Sequence, residues 1–137
     1  MAKTNINRKP VTRKSPGKAA IDPAALPERY ALTVVGDCMA PTIADGAAVQ
    51  VSKSEKFAAG DIVVIWFRPE LVKAGDAPCA VKRLSLALPP WVKSFPYKDH
   101  PGSNAAAAII FEQDNPRRTY SMKCSDVVAI HKFIGCQ

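Results

Sequence analysis

Apolar and polar positions alternate with a period of two along most of the chain after residue 29. That is the spacing of strands rather than of helices. YALTVV, residues 30 to 35, is β-branched and apolar and stops at Gly36-Asp37, a strand running into a turn. AAVQV at 47 to 51 follows the Asp45-Gly46 turn signal and predicts a second strand. DIVVIWF at 61 to 67 is apolar on both faces, with Ile62, Val64 and Trp66 alternating with Val63, Ile65 and Phe67, as suits a central strand. RPELVKAGDAP, residues 68 to 78, reads as a loop or hairpin excursion.

CAVKRLSLAL at 79 to 88 puts Ala80, Lys82, Leu84, Leu86 and Leu88 on one face and Arg83 on the other. A lysine so placed is expected, from pattern alone, to lie at a strand end and carry its ammonium out to water along an apolar stem. Residues 89 to 104, rich in proline and aromatics, predict a long ordered loop. AAAAIIFE reads as a strand because the DNP that follows is a turn signal. TYSM and DVVAIHKFIG complete the sheet, the latter with His131 among apolar neighbours. The chain is therefore expected to be mainly β, with one domain over residues 30 to 137. No helix-turn-helix pattern is present.

Composition alters this picture mainly at the amino terminus. The chain has 137 residues and a net charge of +7, which suggests an acidic partner until the charge is located. Lys3, Arg8, Lys9, Arg13, Lys14 and Lys18 fall within the first 20 residues with no acid among them, leaving 13 basic and 12 acidic residues for the rest. Residues 1 to 29 are expected to form a basic, disordered arm, whose first 20 residues offer weak electrostatic contact with DNA. No apolar run reaches the length of a membrane span or a secretory signal, so a cytoplasmic protein with no membrane contact is expected. The cysteines, Cys38, Cys79, Cys124 and Cys136, form no C-x-x-C pair, and neither a metal nor any other cofactor is expected.

Candidate chemistry gathers at Cys38, on the turn that ends the first strand of the domain. Backbone N–H groups freed by such a turn can face a developing oxyanion. A lysine among apolar neighbours, as Lys82 is, can lose its proton near neutral pH and serve as a base.

The segments VVGDCMAPTIADGAAVQV, AAGDIVVIWF, CAVKRL, DNP and VVAIHKFIG, in that order, resemble the LexA and UmuD type of self-cleaving peptidases, which are related to bacterial signal peptidases. The resemblance spans residues 30 to 136 and implies a twisted, partly barrel-like β fold that forms homodimers. It also implies that Cys38 stands at the nucleophile, usually serine, with Met39 beside it. Lys82 stands at the base, and the N–H groups of Asp37 and Cys38 at the oxyanion site. The implied activity is peptide-bond hydrolysis in phage- or stress-response regulation such as the SOS response, with the chain's own arm or another protein as substrate.

Two departures bear on that expectation. Cysteine is the stronger intrinsic nucleophile and needs less help from a base. Self-cleaving members are cut between Ala or Cys and Gly ahead of the domain, and residues 1 to 29 contain neither pair. The alternative is therefore a catalytically inactive regulatory or dimerisation module of the same fold. A Cys38–His131 pairing is a further option that the residue types allow.

Overall fold

The computed structural model describes residues 3–6, 21–97 and 107–136. Eight strands account for most of its order: β1 (Lys3–Ile6), β2 (Arg29–Val35), β3 (Ala48–Ser52), β4 (Ile62–Phe67), β5 (Cys79–Leu84), β6 (Ala108–Asp114), β7 (Arg117–Lys123) and β8 (Val127–Cys136). They form one sheet in the order β1-β2-β3-β8-β4-β5-β6-β7, and every neighbouring pair is antiparallel. The mainly β class is as expected. The sheet is not closed, but it curls until β1 also approaches β5, which gives the first six strands of that order a partly barrel-like form.

The alternation in β4 divides the core as the sequence predicts. Ile62, Val64 and Trp66 join Leu32, Val49 and Val81 in one buried cluster, while Val63 and Ile65 join Ile109, Phe111 and Ile130 in another. A strand buried on both faces has no polar side to offer, which is why β4 lies between β5 and β8 rather than at an edge.

Two expectations differ from the structure in detail. Within the arm expected to be disordered, Lys3–Ile6 pairs with β2, from Lys3 opposite Val35 to Ile6 opposite Leu32. The segment leading into β2 is tied down by Lys53, whose Nζ donates to the carbonyls of Ala24 (2.9 Å) and Leu26 (2.8 Å). Residues 7–20, with most of the basic charge, lie outside the described residues, as do residues 98–106 of the long loop and the alanine run. Strand β5 ends at Leu84, four residues before the end of its apolar pattern: the Ser85 N–H still donates to the Ile110 carbonyl of β6, but beyond it Leu86 turns out to solvent. The described part of the loop after it sends Val92 into the second cluster, and Val92, Leu84 and Phe57 line a cavity of about 330 Å³.

The turn that carries the candidate nucleophile is closed at its base. Gly46 N–H donates to the Val34 carbonyl (2.7 Å), Val34 N–H to the Ala47 carbonyl (2.9 Å), and Gly36 N–H to Asp45 Oδ1 (2.7 Å). Gly46 sits at φ +87°, a conformation that strains any residue with a Cβ, although a Cβ there would meet no neighbouring atom. Gly46→Ala should therefore destabilise the fold through its backbone alone, by about 1 kcal/mol. Urea unfolding of the two proteins measures it, and equal midpoints would show that the loop relaxes around the substitution.

Candidate active site

Cys38 and Met39 follow β2 after Gly36-Asp37, and both are buried. Met39 is fully buried, and the Ile43 N–H donates to its carbonyl (2.8 Å), which winds the turn inward over two buried side chains. Asp37 stays exposed, its carbonyl accepting from the Ala40 N–H (3.0 Å) and from Asn115 Nδ2 (3.2 Å). The Cys38 carbonyl accepts from two successive backbone N–H groups, those of Asp114 (2.9 Å) and Asn115 (2.8 Å). The turn between β6 and β7, legible in the sequence as DNP, thus clamps the turn that carries Cys38. Among the described residues, no recorded hydrogen bond uses the N–H of Asp37 or Cys38.

A second tie runs through Asp114. Its carboxylate accepts from Arg83 Nη2 (2.9 Å) and from Thr42 Oγ1 (3.1 Å), joining β5, β6 and the Cys38 loop. Burial pushes the Asp114 carboxyl up, but the hydrogen bonds and charge of Arg83, with the Thr42 hydroxyl, together hold it below its usual range. The strand period turns Arg83 toward Asp114 and its neighbour Lys82 the other way.

Lys82 is 0% exposed. The expectation that its ammonium reaches water is overturned: β6 and β7 lie beyond β5, and Gln113 and Tyr120 close over the amine. Lys82 Nζ donates to Gln113 Oε1 (3.3 Å) and lies 5.7 Å from the centre of the Tyr120 ring. Burial holds the Lys82 amine below its ordinary range, and the Cys38 sulfur is near enough that its charge partly opposes that fall. Cys38 and Lys82 are both buried, and the Lys82 amine has its hydrogen bond with Gln113. Gln113, Tyr120 and the N–H pair on the Cys38 carbonyl did not emerge from the sequence. No local signal marks them: continued by one residue, the β5–β6 pairing that sets Arg83 against Glu112 sets Lys82 against Gln113, and that register belongs to the fold.

His131 is placed elsewhere in function. Its Nδ1 is 2.6 Å from the Tyr30 hydroxyl, which also accepts from Trp66 Nε1 (3.0 Å), so its ring is held by Tyr30 rather than offered to Cys38. Burial, with the nearby charge of Lys53, lowers its pKa to about 4. Among the described residues no group of three or more His, Cys, Asp or Glu is arranged to hold a metal, and no helix is long and apolar enough to cross a membrane.

Fold and site together define a β-sheet domain with a buried thiol on the turn after β2 and a fully buried lysine in β5. The Peptidase S24-like family model matches residues 9–84, more than half of the chain and a span that includes both Cys38 and Lys82, and the chain belongs to that family. No curated protein and no solved structure compared with the chain matches it.

Proposed function

We propose that this domain is a peptidase in which Cys38 is the nucleophile and Lys82 its base, acting on its own amino-terminal arm or on a related protein in phage- or stress-response regulation. The observation that carries the reading is Lys82 itself. A lysine without solvent exposure, its amine held low by burial and within reach of the Cys38 charge, suits proton abstraction better than it suits packing.

The Lys82 amine takes the Sγ proton, and the thiolate adds to the substrate carbonyl. The oxyanion is received by the N–H groups of Asp37 and Cys38, whose freedom among the described residues favours that role. Collapse breaks the C–N bond, the Lys82 ammonium returns its proton to the leaving amine, and a thioester remains on Cys38. Water, deprotonated by the amine, adds to the thioester and frees the carboxylate and the thiol.

An extended segment of the chain itself is a reasonable substrate, since Lys3–Ile6 already adds a strand to β2, whose end leads into the Cys38 turn. The homodimer and a salt-sensitive DNA contact through residues 1 to 20 belong to the same proposal.

Incubation of the purified protein from about pH 7 to about pH 10, followed by intact mass measurement, tests it. Cleaved species are expected from the wild type and not from Cys38→Ala. An unchanged mass in all three of wild type, Cys38→Ala and Lys82→Ala would remove self-cleavage. If the same three proteins also left a peptide spanning residues 1 to 29 intact, the inactive module would be the better account, as the lack of Ala-Gly and Cys-Gly in that stretch already favours.

A further inference from the structure

We propose that Gln113, steadied by Tyr120, is a positioning residue that aims the Lys82 amine at Cys38. The inference rests on the dyad reading above.

Gln113 is 3% exposed and its side-chain amide is engaged at both ends. Oε1 accepts from Lys82 Nζ (3.3 Å) and from the Tyr120 hydroxyl (3.0 Å), while Nε2 donates to the carbonyls of Pro116 (2.9 Å) and Asn115 (3.5 Å). Donors meet one end and acceptors the other, so a flipped amide would set donor against donor and acceptor against acceptor. Its orientation is therefore fixed by the network. Tyr120 is fixed in turn by stacking on Phe111, with ring centres 5.6 Å apart and planes 24° apart.

A neutral lysine amine has two N–H groups and one lone pair. Giving one N–H to Gln113 restrains rotation about Cε–Nζ, which limits where the lone pair can point. The identity of the acceptor matters as much as its position. A carboxylate opposite Lys82 would hold the amine as ammonium and disable it as a base, whereas an amide orients it without fixing its proton. The ammonium formed during the reaction then has the Tyr120 ring beside it.

The same β6–β7 turn serves both partners. Its backbone N–H groups grip the Cys38 carbonyl, its carbonyls hold the Gln113 amide, and Gln113 holds Lys82. The titratable groups facing Lys82 are Cys38 from the loop and Tyr120 from β7. Asp114 is turned to Arg83, and His131 to Tyr30.

The test follows the Lys82 side chain by NMR in lysine-labelled full-length protein as pH is raised. Gln113→Glu, nearly isosteric, should move the Lys82 midpoint up by about 1 to 3 pH units, and Gln113→Leu should move it down. The rise of cleavage rate with pH should follow in the same direction. A merely structural role predicts no opposite movements in the two variants. Cys38→Ala is titrated alongside. If Lys82 responds to Cys38→Ala but to neither Gln113 variant, the positioning role is overturned and the dyad stands. If Lys82 ignores Cys38→Ala, the dyad reading falls and the positioning role with it.

Discussion

Lys82→Met is expected to slow Cys38-dependent cleavage by roughly 100- to 10,000-fold at neutral pH, the usual range for loss of a general base. The same substitution should make the folded protein more stable there. Methionine fills nearly the space of the lysine stem, and it leaves no amine in a site closed by Gln113 and Tyr120. Loss of activity with a gain in stability separates a functional lysine from a structural one, whose removal costs both. The sign of the pH dependence follows from the direction of the shift. The folded-state midpoint of Lys82 lies below its ordinary value of 10.5, so between the two the unfolded chain binds the proton that the folded one has released. Stability contributed by this group therefore rises with pH through that window, and it is flat below the lowered midpoint. In Lys82→Met the rise disappears. Lys82→Arg should be as inactive as Lys82→Met, because a guanidinium does not give up its proton in this range, and less stable, because it keeps a buried charge. Single-turnover cleavage followed by mass, with urea unfolding at several pH values, checks all three proteins. Arginine restoring activity would exclude proton abstraction by residue 82.

How much of this site could be read from the chain depends on how local each cause is. The Cys38 turn was legible because Gly36-Asp37 and Asp45-Gly46 bracket it within a few residues, and the structure closes the loop at those positions. The side to which Lys82 points was legible from alternation in β5, since side-chain direction along a strand is a local property. Its depth was not. The amine is covered by residues 31 and 38 positions further along, and a covering strand leaves no trace in the pattern of the strand it covers. Gln113 was missed for the same reason: in sequence it is one polar residue before a turn, and only pairing of β6 with β5 gives it a lysine to hold. The end of β5 was placed too late because the leucines continue the apolar period to Leu88, while the chain leaves the sheet after Leu84. Periodicity reports which residues suit a sheet, and backbone pairing decides where the sheet stops.

His131 should make the fold lose stability as pH falls from about 6.5 to about 4. The ring is half of a part-buried pair: the Tyr30 hydroxyl, whose pKa is raised by burial, keeps its proton and donates it to Nδ1, while its oxygen accepts from Trp66. Protonating Nδ1 sets one donor against another and requires the Tyr30 hydroxyl to find a new acceptor within the core. Lys53 adds to the cost of a charge on the ring, and Glu28 on the same side relieves part of it. Because the folded midpoint, about 4, lies below the ordinary 6.5, the unfolded chain takes up the proton first. The contribution is complete above 6.5, falls through the interval and is gone below 4. The gap corresponds to at most about 3 kcal/mol, and water at the edge of the ring reduces this to about 2 kcal/mol. His131→Gln keeps a neutral acceptor for Tyr30 and does not titrate, so the difference between its urea midpoints at pH 7 and pH 4.5 should be smaller than that of the wild type by this amount. Carboxylates that do not act on the ring titrate in both proteins and cancel in the comparison. Parallel pH profiles would mean that the Tyr30–His131 pair opens to solvent before it is protonated, and that the acid sensitivity of the fold comes from its carboxylates alone.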